Sequence, residues 1–384
     1  MDKLQKKLRG GYTTGACAAA GAKAALLYES GADWHQVVVT ALDGTALDIP
    51  VKSMKETPDG IQAEVIKQSG DDPDITNGVS VYTTVRHLSA AEAGEMAGEL
   101  EDGICFRAGE GIGHVTKPGL QLPVGSPAIN PGPRRLIRQS VLEVAGSLGA
   151  PLVITISIPA GRELARRTLN PILGIEGGIS VIGSTGVLRP MSEEGFKNSL
   201  VPQISVAQAA GFRDLVFVPG KIGECIGTEW GLPSDAFVQT SNFIGFMLEA
   251  AADRQVRSVL LFGHIGKLAK VAGGSFYTHN RIADGRLETL AAHAAVHGLP
   301  PMKVKAVLAS KTTEEALLII AEAGLSRIVC DELCTCASQR SERFLFGKMT
   351  VGTAMVDYAG HLLGIDDHAR AIGQRFGWRV PDEQ

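Results

Sequence analysis

The chain has 384 residues, 45% hydrophobic and 20% charged, a balance that excludes wholesale disorder. Lys and Arg total 37 against 41 Asp and Glu, a net charge of -4, which argues against a broadly basic nucleic-acid binder because phosphate neutralisation needs surplus cations. No stretch approaches the ~18 consecutive apolar residues of a membrane span, and the start MDKLQKKLRGGYTTG lacks the apolar core of a signal peptide.

Six cysteines then read as reduced thiols of a cytoplasmic protein. At ~150 residues per domain the length predicts two or three domains. Glycine is 46 of 384 residues, about 12% against a usual ~7%, which predicts many tight turns and close backbone approaches.

In chain order, residues 14–29 read as a helix. Thr13 or Thr14 can cap it, and seven alanines between Ala16 and Ala25 favour it. So many small residues on every face predict close packing against something flat, such as a sheet. Strand-like runs follow at 36–41, 47–51, 61–68 and 79–85, separated by turn signals at Asp43-Gly44, Pro58-Asp59-Gly60 and Gly70-Asp71-Asp72-Pro73-Asp74. Strands without intervening helices predict an antiparallel α+β portion. A helix is expected over 134–148, with Pro131 and Pro133 at its start, and a strand over 152–158.

Beyond that the pattern changes. Short apolar runs at 179–182, 214–218 and 258–262 are followed by the loops GSTG, PGKIG and GHIGK. Helices are expected at 192–210, 242–254, 287–297 and 312–323. Alternation of strand and helix predicts a mostly parallel sheet. The fold expectation is therefore two domains: residues 1–165, α+β with mainly antiparallel strands, and residues 166–384, α/β with a mostly parallel sheet carrying the Gly-rich ligand loops. No repeat is visible, and the tail from Gly373 reads as surface.

Ligands of parallel α/β sheets bind at the carboxyl ends of the strands, where this chain carries glycine. Gly183-Ser184-Thr185-Gly186 reads as a nucleotide or adenosyl-cofactor loop, because glycine lets backbone N–H groups approach a ligand and the hydroxyls add donors and acceptors. The plain alternative is a tight turn. Gly177, Gly178, Gly183 and Gly186 do not spell G-x-G-x-x-G, and no phosphate-loop signature exists. His264, Lys267 and Lys270 in GHIGKLAK, with His279 and Arg281 in THNRIADGR, form one group of cations suited to an anion, and a histidine there could move a proton. His114, Lys117, Asn130, Arg134 and Arg135 bracket the Gly/Pro-rich stretch VTKPGLQLPVGSPAINPGPRR and form a second. A ligand with several carboxylates suits two cationic loops, whereas the plain readings are a solvated loop and an ordered connection.

Asp71, Asp72 and Asp74 tempt a Mg²⁺ or Ca²⁺ reading, but the spacing of a calcium loop is missing and a solvated turn is the simpler reading. Cys330, Cys334 and Cys336 have the spacing C-x3-C-x-C, which matches no zinc or iron–sulfur pattern. Buried reduced thiols are the default there, and Cys17 reads as a small packed residue.

Taken together the motifs resemble one family. LRGGYTTGACAAAGAKAAL, GDDPD, VTKPGLQLPVGSPAINPGPR, NPILGIEGGISVIGSTGVLRPMS, SNFIGFML and GHIGKLAKVAGGSFYTHNRIADGR are similar, in order, to segments of the CbiD family, the cobalt-precorrin-5B C1-methyltransferases of anaerobic cobalamin biosynthesis. The match runs from residue 8 to residue 286, and the last hundred residues are less distinctive. Two positions depart from the pattern: GSTG stands where many relatives have a Thr-Thr pair, and Lys221 stands where Asn is expected.

The resemblance implies methyl transfer from S-adenosylmethionine to ring carbon C1 of a cobalt-containing corrinoid. Cobalt then arrives only as part of the substrate, and no protein metal site is needed. Gly178, Gly183, Ser184, Thr185 and Gly186 are the implied cofactor-binding residues. Thr13, Thr14, Lys117, Asn130, Arg134, Lys267 and Arg281 are the implied substrate-binding residues, holding acetate and propionate arms by charge-assisted bonds. His264 or His279 is the implied proton acceptor. No nucleic acid or membrane partner is expected, and a homo-oligomer is left open. Two other readings stay open: a small-molecule kinase or phosphate-binding enzyme, and a non-catalytic corrinoid carrier.

Overall fold

Residues 8–378 and 380 are described by the structure, a computed structural model. The chain divides into two compact units, one ending at Glu193 and one starting at Glu194, and each is described by itself. The division falls later than the boundary expected at 165/166. The reason is strand pairing: Ile175–Glu176 pairs with His114–Val115, and Val187–Leu188 pairs with Gly11–Tyr12. The loop Gly183–Gly186 therefore belongs to the first unit, not to the α/β unit expected to carry it.

In the first unit, β1 (Gly11–Tyr12) leads into α1 (Thr14–Glu29). Thr13 caps α1, its Oγ1 accepting from the Ala16 N–H at 3.2 Å. Twelve of the sixteen helical residues are buried, so the helix has almost no solvent face. The small side chains let it lie against the sheet: a Cβ on Gly21 would meet Thr83 Cβ at 2.8 Å, and the Thr83 hydroxyl donates to Ala18 O. Burial pushes the Cys17 thiol up to about 12, so it packs as an apolar group.

The hairpin β2 (Gln36–Thr40) and β3 (Ala46–Pro50) follows, then β4 (Ser53–Thr57), β5 (Gly60–Ile66) and β6 (Ser80–His87). A short α2 (Ala90–Glu95) precedes β7 (Ile104–Ala108) and β8 (His114–Val115). After α3 (Pro131–Ala145) and β9 (Leu152–Ser157) come α4 (Gly161–Ala165), α5 (Asn170–Leu173), β10 (Ile175–Glu176) and β11 (Val187–Leu188). The main sheet has the order β4-β5-β6-β9-β7. It is antiparallel except for β7 and β9, which run parallel and are joined by a crossover that includes α3. Ile104, Leu152, Ile154 and Ile156 are fully buried on it. The run 179–182, expected as a strand, makes only isolated bridges at Ile179 and Val181.

The acidic run is not a solvated turn. Asp71 pairs with Arg9, and Asp72 accepts from the Met191 N–H at 2.8 Å. Asp74 accepts from Lys67, whose side chain is 1% exposed, at 2.8 Å. Burial raises the Asp74 carboxyl, but Lys67 and Thr76 outweigh that and hold it below its ordinary value. A buried ammonium needs such a counter-charge.

In the second unit, α6 (Glu193–Leu200), whose first residue closes the preceding unit, and α7 (Pro202–Ala209) replace the single helix expected over 192–210. Pro202 has no N–H to continue α6 but suits a first helical turn. Then come β12 (Asp214–Val218), α8 (Lys221–Glu229), β13 (Phe237–Gln239), α9 (Ile244–Asp253), β14 (Ser258–His264) and α10 (Ile265–Ala272). Four helices follow: α11 (Arg286–Val296), α12 (Pro301–Ala309), α13 (Thr313–Ala321) and α14 (Ser326–Phe344). The chain closes with β15 (Thr350–Val356), β16 (Leu362–Ile365) and α15 (Asp367–Arg375). The sheet order is β13-β12-β14-β15-β16, parallel except for the edge strand β16. The fold class expected from the sequence is thus observed: mainly antiparallel strands in the first unit, a mostly parallel sheet in the second.

Two carboxylates pin this sheet. Asp214, at the start of β12, accepts from Arg257, Ser258 and Arg375. Burial raises its carboxyl, yet these three donors bring it down to about 2. Asp366 accepts from Ala369 N at the start of α15, from Thr353 N and from the Ser338 hydroxyl, and burial leaves its carboxyl above the ordinary value. The cysteine run lies on α14, where Cys330 and Cys334, four residues apart, share the buried face. Burial pushes Cys330 up to about 12 and Cys334 well above its ordinary value. The tail is not all surface: Trp378 is 4% exposed and stacks on Trp230 with ring centroids 6.1 Å apart.

Candidate functional site

In the first unit, the turn Gly183–Gly186 meets the N-termini of α1 and α3. Thr13 N donates to Gly186 O at 2.9 Å and Gly15 N to Ile182 O at 3.1 Å. The Thr14 hydroxyl accepts from Ile182 N at 3.0 Å. The glycines are spent on this packing. Gly183 has φ +135, and a Cβ there would lie 2.3 Å from Thr13 Oγ1. A Cβ on Gly178 would lie 2.0 Å from Gly111 O, and one on Gly186 would lie 2.8 Å from Leu136 Cδ2. They admit the chain's own atoms rather than a ligand's. Among the implied cofactor residues, Ser184 is exposed, and Thr185 Oγ1 accepts from Val187 N.

Several implied substrate residues are gathered here too. Thr13 and Thr14 are buried and hydrogen-bonded inside the junction. Asn130 is the N-cap of α3, and its side chain makes no capping bond. Gly132, in the first turn of α3, faces Gly183 O. Arg134 is committed elsewhere: its Nε donates to Ile129 O at 2.7 Å, it pairs with Glu101, and its guanidinium lies 5.2 Å over the Phe106 ring. The Lys117 stem covers Gly174, where a Cβ would meet its Cγ at 2.3 Å.

The second unit holds the other implied residues, and its topology explains their position. The chain leaves β12 toward β13 on one side and leaves β14 toward β15 on the other. Such a reversal of direction opens a crevice at the carboxyl edge of the sheet. PGKIG and GHIGK are the loops at that edge, following β12 and closing β14. α8 starts at Gly220 with no side-chain cap, and α10 starts at His264, whose Nδ1 accepts from Gly266 N at 3.0 Å. A Cβ on Gly223 would lie 2.8 Å from Phe262 O, and one on Gly263 would lie 3.1 Å from Pro219 Cδ, so glycine sets how closely the loops approach.

Lys267 spans this edge. Its Nζ donates to Pro219 O at 2.7 Å and lies 3.5 Å from Ser241 O. Burial lowers its pKa, and the charge acting on it, that of Lys270, is another cation and lowers it further. Lys270 is buried and donates to Thr278 O at 3.1 Å, with Asp284 3.8 Å away. Arg281 is exposed.

The two histidines share one property. The Nδ1 of His264 accepts from Gly266 N, and the Nδ1 of His279 accepts from Arg281 N at 3.2 Å. A backbone N–H can only donate, so each neutral ring carries its proton on Nε2. Neither offers a free lone pair as the expected proton acceptor. His264 Nε2 lies 2.9 Å from Glu314 Oε1, off the line of a well-directed hydrogen bond. Burial lowers the His264 pKa more than Glu314 raises it. Its ring stacks on Tyr358 at 3.9 Å, and Tyr358 is 63% exposed at the end of β15.

Sequence reading missed Thr240 and Ser241, which follow β13. Thr240 is fully buried, and its Oγ1 makes no hydrogen bond among the described residues. Ser241 has φ +53, a conformation uncommon outside glycine and associated with functional sites. No local signal in the sequence marks them, because their burial and backbone conformation are set by the fold.

The family profile described as CbiD matches residues 1–190, and that described as CbiD, C-terminal domain, matches residues 277–367. A protein of Moorella thermoacetica named cobalt-precorrin-5B C(1)-methyltransferase is 47% identical over 377 residues, covering 98% of this chain and 100% of that protein. One of the same name from Methanocaldococcus jannaschii is 42% identical over 367 residues, covering 94% and 97%. A crystal structure titled cobalamin biosynthesis protein (cbiD) from Archaeoglobus fulgidus aligns with a TM-score of 0.38 at 23% identity, covering 71% of this chain and 83% of that one. Identity of 42–47% running almost end to end places the sequence motifs, both halves of the chain and the loops just described in one lineage: the chain belongs to the CbiD family.

Proposed function

We propose that the chain is a cobalt-precorrin-5B C(1)-methyltransferase, using S-adenosylmethionine to methylate C1 of a cobalt-bearing corrinoid. The observation that carries this reading is 47% identity over 98% of the chain to a relative with that name. S-adenosylmethionine, when bound, supplies a methyl group already activated on a sulfonium. The protein's tasks are then to hold the ring carbon in line at ~3–3.5 Å and to exclude water. Neither task requires a covalent protein nucleophile.

The residues support a division of labour. The ring's acidic arms suit the junction of α1 and α3, where two helix N-termini favour negative charge and Asn130 and Ser184 offer polar side chains. We do not assign the turn Gly183–Gly186 to the adenosyl group, because its glycines are filled from within. Lys117 serves a further acidic group within the first unit, and the exposed Arg281 offers a cation within the second. His279 presents Nε2–H as a donor, and we assign it to orienting a substrate oxygen. His264, held by Gly266 and stacked on Tyr358, is a positioning residue of the second unit.

Incubation with isotopically labelled S-adenosylmethionine and the ring-contracted corrinoid tests the reading. The expected product carries one labelled methyl at C1, located by NMR. Tight corrinoid binding without transfer would make the chain a carrier. Thermal protection by ATP, with none from S-adenosylmethionine, would make it a phosphate-binding enzyme.

A further inference from the structure

We propose that the crevice between Pro219–Lys221 and His264–Lys267 holds the amino-acid carboxylate of the adenosyl donor on Lys267, with the donor's sugar hydroxyls toward Thr240 and Ser241. The inference rests on the methyl-transfer reading and adds where the donor sits. It moves the donor from the turn at 183–186 in the first unit to the sheet edge of the second.

Three independent observations converge. The topology puts the reversal of chain direction between β12 and β14, the place where open parallel sheets take nucleotide-like ligands. Lys267 itself has no carboxylate partner among the described residues: it is bound to neutral carbonyls, the charge acting on it is another cation, and Lys221 stands exposed at the start of α8, while the carboxylate in the first turn of that helix, Glu224, is taken up by Gln239. An ammonium held in this way has capacity for an anion. Finally, Thr240 Oγ1 is buried with no hydrogen bond among the described residues, directly after β13, and Thr240 N donates to Val218 O next to Pro219. A buried hydroxyl without a partner is uncommon, and a bound ligand is one explanation for it.

A carboxylate also occurs on the corrinoid arms, so the test has two arms. Binding of S-adenosylhomocysteine is measured by calorimetry, and binding of the corrinoid by its visible absorption, for the full chain and for Lys267→Met, Lys267→Arg and Thr240→Val. The expected result is a loss of tenfold or more in S-adenosylhomocysteine affinity for Lys267→Met, partial rescue by Lys267→Arg, and unchanged corrinoid affinity. A loss confined to the corrinoid would transfer the crevice to the ring's arms and overturn the proposal. No loss for either ligand would overturn it as a carboxylate site.

Lys267 also ties the loops together, so Lys267→Met has a structural risk, and Thr240→Val covers it. That change removes an unbonded hydroxyl, so the free protein keeps or gains thermal stability, while S-adenosylhomocysteine binds several-fold more weakly. Unchanged affinity in Thr240→Val would overturn the sugar contact. If the unaltered chain binds no S-adenosylhomocysteine at millimolar concentration, it is the methyl-transfer reading itself that fails.

Discussion

Gly183 and the Thr13 hydroxyl occupy neighbouring space with no room between them: a Cβ on Gly183 would fall 2.3 Å from Thr13 Oγ1, at a φ of +135. The turn is therefore a structural clasp on the start of α1. Gly183→Ala should cost more than about 2 kcal/mol, from backbone strain plus overpacking. Thermal unfolding should show a drop of roughly 2–4 °C per kcal/mol. Thr13→Ala should restore only part of it, because the positive φ remains and the helix cap is lost. A fully stable Gly183→Ala protein would remove the clasp from the account.

Lys67 and Asp74 form a buried pair whose value lies in being complete. Asp74→Ala leaves an ammonium that is 1% exposed and bonded, among the described residues, only to Ser69 at 2.7 Å. The expected loss is about 3–5 kcal/mol, as for other broken buried pairs. Replacing both with apolar residues of similar size should cost much less. Denaturant titration of the two variants separates these cases, and equal losses would refute the pairing argument.

Asp214 makes stability depend on acid. Its carboxyl is held at about 2 in the fold, below the ~3.9 of an unfolded chain. A depressed acid contributes stability that is fully present above the unfolded value and is lost as pH falls through the folded one. The window is therefore about pH 4 down to pH 2. Asp214→Asn should cost about 2–4 kcal/mol at neutral pH, because Arg257 and Arg375 lose their shared partner. The gap between the two proteins should close toward pH 2, as followed by urea unfolding at a series of pH values.

Thiol chemistry should sort the cysteines by position. Cys225 is exposed, whereas Cys17, Cys330 and Cys334 are buried, with burial pushing all three thiols up. Since the thiolate is the reactive form, an alkylating reagent should mark Cys225 in the native protein and the other three only on unfolding. Peptide mapping by mass spectrometry reads this directly. Rapid native labelling of Cys334 would contradict the packing of α14.

The first half of the molecule was legible where local chemistry decides. The alanines of α1 announced a helix laid flat on a sheet, and the turn at Asp43-Gly44 announced a hairpin. The β12 run Asp214–Val218 was legible to the residue, because a strand buried on both faces is a continuous apolar run. What stayed hidden depends on partners far along the chain. Nothing near Val187 says that it pairs with Tyr12, so the domain boundary was set too early. The long helix α14 was not among the expected helices, although buried thiols were the expectation for its cysteines, and Cys330 and Cys334 are buried. At the site, GHIGK and PGKIG were visible as Gly-rich loops, but only the strand order shows that they lie side by side at one edge of the sheet. Thr240 carries no local mark at all; its interest comes from being buried and unbonded.

The pairing of Gly11 with Leu188 and of Tyr12 with Val187 has a consequence for synthesis. Emerging from the ribosome at ~5–20 residues per second, the opening strand must wait on the order of ten seconds or more for its mate. Through that interval the alanine-rich helix behind it has an unfinished clasp and an exposed greasy flank. Nascent chains stalled before Leu188 should therefore be the ones that chaperones hold and proteases cut.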